Sequence, residues 1–312
     1  MKTSWDTVSG LKLPRVLEPD HSRLLCTLSA LSGSKNARKF PGPNPCSLER
    51  SDFPKLRQQP YFLAEKTDGV RFLWLCCTFN TLNVSAIVDR SMAAYLLPLH
   101  AVPTAMFQGS VVDCELAFNK VENTWHLMAF DAYVVSGVPV FNLPFSHRLA
   151  ALQRAMTVYE ACASDPLSVR VKRFFPTCMF RDFLGHMHEV ERYFAVDGII
   201  LTPELSHASI GRHTELFKLK TKHSVDFLVG PGPCDLGVFL PSARDHVVVA
   251  GLREPLAPGC IAECVSSPDG VWDLVCVRTD KSTANDMLTY EKTLLNAREG
   301  ITIDEVHRVV TG

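Results

Sequence analysis

The chain has 312 residues, 46% of them hydrophobic and 21% charged, a composition that supports a sizeable core and excludes a disordered or fibrous class. Lys and Arg total 32 against 33 Asp and Glu, so no whole-molecule positive field marks a nucleic-acid partner, and any grip on a polyanion must be local. Eleven cysteines without CxxC pairs argue for reduced thiols in an intracellular protein, and no apolar run approaches the roughly 20 residues of a membrane span.

Up to about Ser51 the chain is broken by prolines and closes on turn chemistry in Lys39-Phe-Pro-Gly-Pro-Asn-Pro-Cys-Ser47. This predicts a segment that wraps a domain rather than forming one. Strands are expected over 61–65, 72–79 and 83–88, the first pair joined by a polar turn through Thr67-Asp-Gly69. Further strands fit 110–118, 125–135, 198–202 and 216–220. Phe145, Leu149, Leu152, Met156 and Tyr159 recur at helical spacing, as do Phe180, Phe183, Leu184, Met187, Val190 and Phe194. His186 and His188 lie on the face of the second helix and are discounted as metal ligands.

Beyond Asp226 the texture changes to short strands with Gly and Pro punctuation, including a Pro268-Asp-Gly270 hairpin turn before a strand over 271–278. A small β-barrel of the OB type is the expected result. Cys260 and Cys264 fall on one of its strands and read as thiols at least half buried, not as a zinc site. The tail is helical, with Met287, Leu288, Glu291, Leu294 and Leu295 in register, a Gly300 stop and a Thr302-x-x-Glu305 capping box. The class is therefore α+β, with antiparallel sheets and helices over residues 1–226 and the barrel with its helical tail over 227–312.

The stretch Glu65-Lys66-Thr67-Asp68-Gly69-Val70-Arg71 puts a lysine, two acids and an arginine on one tight turn between strands. A deprotonated lysine is a nucleophile, and Gly69 lets the backbone pass closely under a ligand. Lys218 and Lys220 share one face of a strand by the period of two, where an anion such as a triphosphate would relieve their repulsion. Asp113, Glu115 and Asp197 lie in apolar strand contexts and need partners. An ion pair to Arg71 or Lys218 would serve, as would a ribose hydroxyl for Glu115 and a divalent cation for Asp197. Arg278, Asp280 and Lys281 close a strand of the second domain with three charges.

Together these segments, from about Lys39 to Asn285, resemble the covalent nucleotidyltransferases, the superfamily of capping enzymes and ATP-dependent ligases, and among them the mRNA-capping guanylyltransferases. Lys66-Thr-Asp-Gly-Val-Arg71 is similar to the first motif of that family, which implies Lys66 as nucleophile and Arg71 as ribose contact, with Glu65, Asp68 and Gly69 lining the GTP site. Asp113-Cys-Glu115 is similar to the third motif, with Cys114 where Gly is usual, and implies that Glu115 meets the ribose. Ala129-Phe-Asp131 implies that Phe130 stacks on guanine, and context places Lys172 as a guanine contact. Val196-Asp-Gly-Ile-Ile200 resembles the fourth motif and implies a metal role for Asp197. Lys218 and Lys220 resemble the fifth, followed by Val225-Asp-Phe227, and the segment from Trp272 through Arg278, Asp280 and Lys281 to Asn285 resembles the sixth. Phe40-Pro-Gly42 is similar to a capping-enzyme signature absent from ligases. Leu219, Cys276 and Ala284 depart from the family pattern without removing a charge that the chemistry needs.

The resemblance implies a nucleotidyltransferase domain plus an OB domain that closes to bring Arg278, Asp280 and Lys281 onto the leaving pyrophosphate. It implies a divalent cofactor, Mg or Mn, with GTP and a 5′-diphosphate RNA as substrates. An RNA triphosphatase is expected on another protein, the tail of RNA polymerase II is a candidate partner, and residence is nuclear, or cytoplasmic for a viral protein. Two rival readings are an ATP-dependent polynucleotide ligase and a non-catalytic OB-type nucleic-acid-binding protein.

Overall fold

A computed structural model describes every residue except Ser206, Ser209, Pro268 and Asp280. The chain opens on a hairpin, β1 (Thr3–Val8) and β2 (Leu11–Val16), followed by helix α1 (Asp20–Ser32). The proline-broken segment expected to wrap a domain thus carries a hairpin and a helix. Pro19 sits just ahead of α1, where its missing N–H costs no helical hydrogen bond, so it starts the helix rather than forbidding it. Helix α1 buries Leu24, Leu25 and Leu28 and stops at Gly33, whose φ of 68° suits a left-handed cap.

Then come β3 (Pro43–Ser47), α2 (Phe53–Gln58), β4 (Tyr61–Thr67), β5 (Val70–Phe79), β6 (Leu82–Asp89) and β7 (Ala94–Leu96). They are followed by β8 (Ser110–Asn119), β9 (Thr124–Val135), β10 (Val138–Pro139), α3 (Phe145–Met156), β11 (Ser168–Val171) and β12 (Phe175–Pro176). Helix α4 (Phe180–Tyr193), β13 (Val196–Pro203) and β14 (Gly211–Lys220) complete this half. Tyr159, expected within α3, lies three residues past its end.

Nine strands form one sheet in the order β1-β2-β7-β6-β5-β8-β9-β10, with β11 added parallel to β9. A second sheet runs β12-β4-β13-β14-β3. Strand β5 is buried on both faces: Phe72, Trp74 and Cys76 enter one core with Leu152 of α3, while Leu73, Leu75 and Cys77 enter another with Leu24 and Leu28 of α1. Its near-continuous apolar text follows from that double burial.

The rest of the chain comprises β15 (Ser224–Val229), β16 (Asp235–Leu240), β17 (Asp245–Gly251), β18 (Ile261–Ser266), β19 (Trp272–Val277), α5 (Met287–Glu299) and α6 (Ile303–Thr311). These five strands form an antiparallel sheet in the order β17-β16-β15-β18-β19 around Phe227, Trp272, Val238 and Leu252. Among the described residues no ladder closes it into the expected barrel. One parallel bridge, Leu252 to Trp272, ties the two edges, so the unit is the partly open version of that design. Of the expected hairpin turn, Pro268 lies outside the described residues, while Ser267 donates across it to Val271 O (2.9 Å). Asp286 caps α5 through Thr289 N (2.8 Å), and Thr302 Oγ1 accepts from Glu305 N (3.1 Å), one half of the expected capping box, while the Glu305 carboxylate pairs with Arg50.

The molecule forms two compact units. One comprises Met1–Cys46, Pro54–Lys218 and His307–Gly312; the other comprises Ser47–Phe53 and Leu219–Val306. The division falls inside β14, between Lys218 and Leu219. The class is α+β, with almost all strand pairs antiparallel.

Candidate active site

Lys66 stands near the end of β4, paired with β13 in a register that shifts between Val196 and Gly198. Val196 opposes Thr67 and Gly198 opposes Lys66, which leaves Asp197 as the extra residue of a β-bulge. A bulge re-aims a side chain, and here both Asp197 oxygens accept from Lys66 Nζ, at 2.8 and 2.9 Å. Gly69 is equally constrained. A Cβ there would lie 2.5 Å from Leu116 O and 2.9 Å from Glu115 Cγ, so the turn after Lys66 can pass β8 only as glycine.

By the strand period Glu65 and Thr67 point away from the Lys66 face, and both are buried. Lys172, itself buried, sits against them: its Nζ donates to Glu65 O (3.0 Å) and Thr67 Oγ1 (2.7 Å) and lies 3.4 Å from Glu65 Oε1. Glu65 Oε2 has no hydrogen-bond partner, and His186 Nε2 is 3.7 Å from it. His186, discounted from sequence as a metal ligand, thus faces the strand that carries Lys66. His186 carried no motif and Thr67, inside the Lys66–Arg71 motif, had no assigned role; only their spatial neighbours reveal their contacts with Glu65 and Lys172.

Arg71 opposes Glu115 across the β5–β8 ladder, with Asp113 two residues away on the same face. Arg71 Nε and Nη2 donate to Asp113 (2.8 and 2.5 Å), Nη1 donates to Pro43 O (2.7 Å), and Tyr133 Oη donates to Asp113 (2.7 Å). Burial works against the guanidinium charge, yet Asp113 more than offsets it and holds the Arg71 pKa above its ordinary value. The partner expected for Asp113 is therefore Arg71. The guanidinium lies over the Phe40 and Phe130 rings, at 5.2 and 5.7 Å, and a Cβ on Gly42 would meet Arg71 Nη2 at 2.5 Å. This gives the Phe40-Pro-Gly42 signature its physical reason: the loop lies flat under Arg71.

Phe130 is placed by a second bulge. Asp113 pairs with Asp131 and Cys114 with Ala129, leaving Phe130 unmatched and half exposed on β9. Asp131 belongs to a buried pair with Arg148 (2.7 and 2.8 Å). Cys114 points the other way, into the core, so its departure from glycine does not touch the site.

Burial pushes the Glu115 carboxyl up to about 7, against the pull of Lys172, Lys66 and Arg71. An acid with a raised folded-state pKa binds its proton more tightly folded than unfolded. Stability should therefore fall as pH rises from about 4.5 to 7, by at most about 3 kcal/mol, and stay lower above it. Glu115→Gln should flatten that slope in urea unfolding series between pH 5 and 8; an unchanged slope would place the titration elsewhere.

Lys218 and Lys220 alternate on β14 with buried Phe217 and Leu219 and are themselves half buried, as the period of two requires. Strand β14 is the neighbour of β13, which carries Asp197. Asp68 is exposed at the turn, its N–H donating to Ala195 O (2.8 Å).

In the second unit Arg278 Nη1 donates to Asp226 (3.1 Å) and Glu263 (3.3 Å), and Lys281 Nζ also pairs with Asp226. Asn285 clasps the Asp226 backbone in both directions, at 2.9 and 2.7 Å. Asp226 is the shared partner that sequence reasoning did not assign. Its burial in a strand, flanked by Val225 and Phe227, was the available signal. Asp280 lies outside the described residues. Cys276 is exposed and Leu219 buried.

Among known proteins, the chain is 24% identical to the mRNA-capping enzyme subunit alpha of Candida glabrata, covering 96% of this chain and 86% of that protein. It is 22% identical to the corresponding subunit of Neurospora crassa, covering 97% and 91%. A solved mycobacterial DNA ligase D complexed with ATP and MES is similar at a TM-score of 0.48 and 13% identity, covering 77% of this chain and 96% of that one. Residues 4–222 match the family model described as mRNA capping enzyme, catalytic domain, a span holding Lys66, Arg71, Asp113, Glu115, Phe130, Lys172, Asp197 and both β14 lysines. The chain belongs to the mRNA-capping enzyme family of nucleotidyltransferases.

Proposed function

We propose that this guanylyltransferase carries GMP on Lys66, and the bulge that brings Asp197 onto its amine is the observation behind the assignment. The Nζ must shed a proton to expose its lone pair, and the Asp197 carboxylate lies in reach of that proton. The lone pair attacks the α-phosphorus of GTP, an N–P bond forms, the bond to the β-phosphate oxygen breaks, and pyrophosphate leaves. A terminal phosphate oxygen of a diphosphate-ended RNA then attacks the same phosphorus, the N–P bond breaks, and the amine regains its proton.

Capping enzymes and their superfamily relatives use a divalent cation, and the carboxylate of Asp197 together with substrate phosphates fits the all-oxygen set that Mg or Mn prefers. Such a cation would supply positive charge beside the α-phosphate. Lys218 and Lys220 are assigned to the phosphates, Phe130 to stacking on the base, and Arg71 and Glu115 to the ribose. Glu65, Asp68 and Gly69 shape the floor of the same site. Arg278, Asp280 and Lys281 are assigned to the pyrophosphate, a role in which Arg278 and Lys281 would exchange Asp226 for phosphate. Partners in the cell are RNA ends prepared by a separate triphosphatase, with the RNA polymerase II tail as docking partner and the nucleus as site of action.

The guanine contact is assigned to Lys172, made by the ammonium N–H that Glu65 O and Thr67 Oγ1 do not take. Lys172→Ala should weaken GTP binding by about 1.5–3 kcal/mol and leave ATP binding unchanged. Equal loss of both nucleotides, with a lower unfolding midpoint, would instead reduce Lys172 to a brace for β4. The overall test is incubation with labelled GTP or ATP and a divalent cation, followed by a denaturing gel. A GMP adduct supports the reading, an AMP adduct favours a ligase, and no adduct with either removes the covalent chemistry.

A further inference from the structure

We infer that His100, Cys162 and Asp165 form a zinc site that pins two surface loops together, apart from the nucleotide chemistry. His100 lies in the loop between β7 and β8, and Cys162 and Asp165 lie in the loop between α3 and β11. Their ligand atoms all fall within 4.8 Å of one another. His100 Nδ1 is 2.5 Å from Asp165 Oδ1, and the same oxygen accepts from His100 N (3.1 Å). Asp165 N donates to Cys162 O (3.0 Å), so both loop ligands come from one turn, three residues apart.

Two features set this trio apart from a chance surface cluster. The Asp165 side chain is only 1% exposed, while His100 is 64% exposed, so a carboxylate at the bottom of a shallow site is flanked by a reachable imidazole and thiol. A buried carboxylate calls for positive charge, and among the described residues no Lys or Arg is ion-paired with Asp165. One nitrogen, one sulfur and one oxygen suit zinc, whereas magnesium prefers oxygens alone.

Tetrahedral zinc places its ligand atoms roughly 3.3–3.7 Å apart, given bonds of about 2.0–2.3 Å, so the exposed imidazole need only turn to make room for the ion. Binding forms bonds to Nδ1 or Nε2, Sγ and a carboxylate oxygen, releases the thiol proton to solvent, and leaves water in the fourth position. The site would fasten loops whose Leu97, Val102 and Leu167 seal one of the two cores beside β5. Its role is to hold that cover, not to touch GTP.

The test uses the full chain, stripped of metal and titrated with Co²⁺. One equivalent should raise a thiolate-to-cobalt charge-transfer band with the visible bands of a tetrahedral ion; Zn²⁺ should bleach them and excess Mg²⁺ should not. Cys162→Ser should remove the band, and His100→Ala, a change at an exposed side chain that leaves folding intact, should weaken cobalt binding at least about tenfold. Both variants should still form the labelled GMP adduct with Mg²⁺, which separates this site from Lys66. A missing band in the parent chain would overturn the assignment. So would a band that survives Cys162→Ser, since cobalt would then sit on another thiol, or full affinity in His100→Ala.

Discussion

Lys66→Ala is expected to abolish the labelled GMP–protein adduct altogether, and Lys66→Arg to do the same. An arginine preserves the charge facing Asp197 but its pKa leaves no neutral nucleophile at any working pH. Folding offers no alternative explanation for the loss. The Lys66 and Asp197 side chains are 24% and 25% exposed, and partly exposed pairs of this kind contribute about 1 kcal/mol or less. Both variants should therefore unfold within about 1 kcal/mol of the parent while losing a reaction whose nucleophile is gone. Digestion of the labelled parent should yield a single labelled peptide containing Lys66. A labelled peptide from elsewhere in the chain would transfer the role to another lysine.

Much of the site can be read from the amino-acid text because its charges stand in places where charge is costly. Asp113 inside an apolar strand demanded a cation, and Arg71 supplies it. Alternation along β14 was enough to put Lys218 and Lys220 on one face. What the text hides is where the ladders slip. The bulges at Asp197 and Phe130 each insert one residue, and nothing in the local composition marks them, because a register shift depends on which strand lies opposite. Lys172 shows the same limit from another side: it reads as a base contact, and only the fold reveals two of its donors spent on Glu65 and Thr67. At the N-terminus the proline-broken text reads as a segment that wraps a domain, yet Pro14 falls within a strand of a hairpin and Pro19 just ahead of a helix start. Proline excludes a helix interior, not a helix.

The second large effect is expected at Asp113. This carboxylate is 0% exposed and takes three hydrogen bonds, two from Arg71 and one from the Tyr133 hydroxyl. Asp113→Ala leaves a largely buried guanidinium without its counter-charge and a buried hydroxyl without its acceptor, and breaking one side of such a pair costs about 3–5 kcal/mol. That is comparable to a large share of the stability of an ordinary domain, so the urea midpoint should drop sharply. Removing the whole set should hurt far less, because an apolar replacement of similar volume avoids stranding any charge. The triple variant Arg71→Met, Asp113→Leu, Tyr133→Phe is therefore expected to recover most of the loss, short of the Pro43 O contact and the ring stacking on Phe40 that Arg71 also provides. Adduct formation should not recover with it, since the triple variant still lacks the guanidinium assigned to the ribose. If the triple variant regains both stability and full GMP transfer, Arg71 serves the fold alone; if Asp113→Ala unfolds within about 1 kcal/mol of the parent, the pair is not the lock described here.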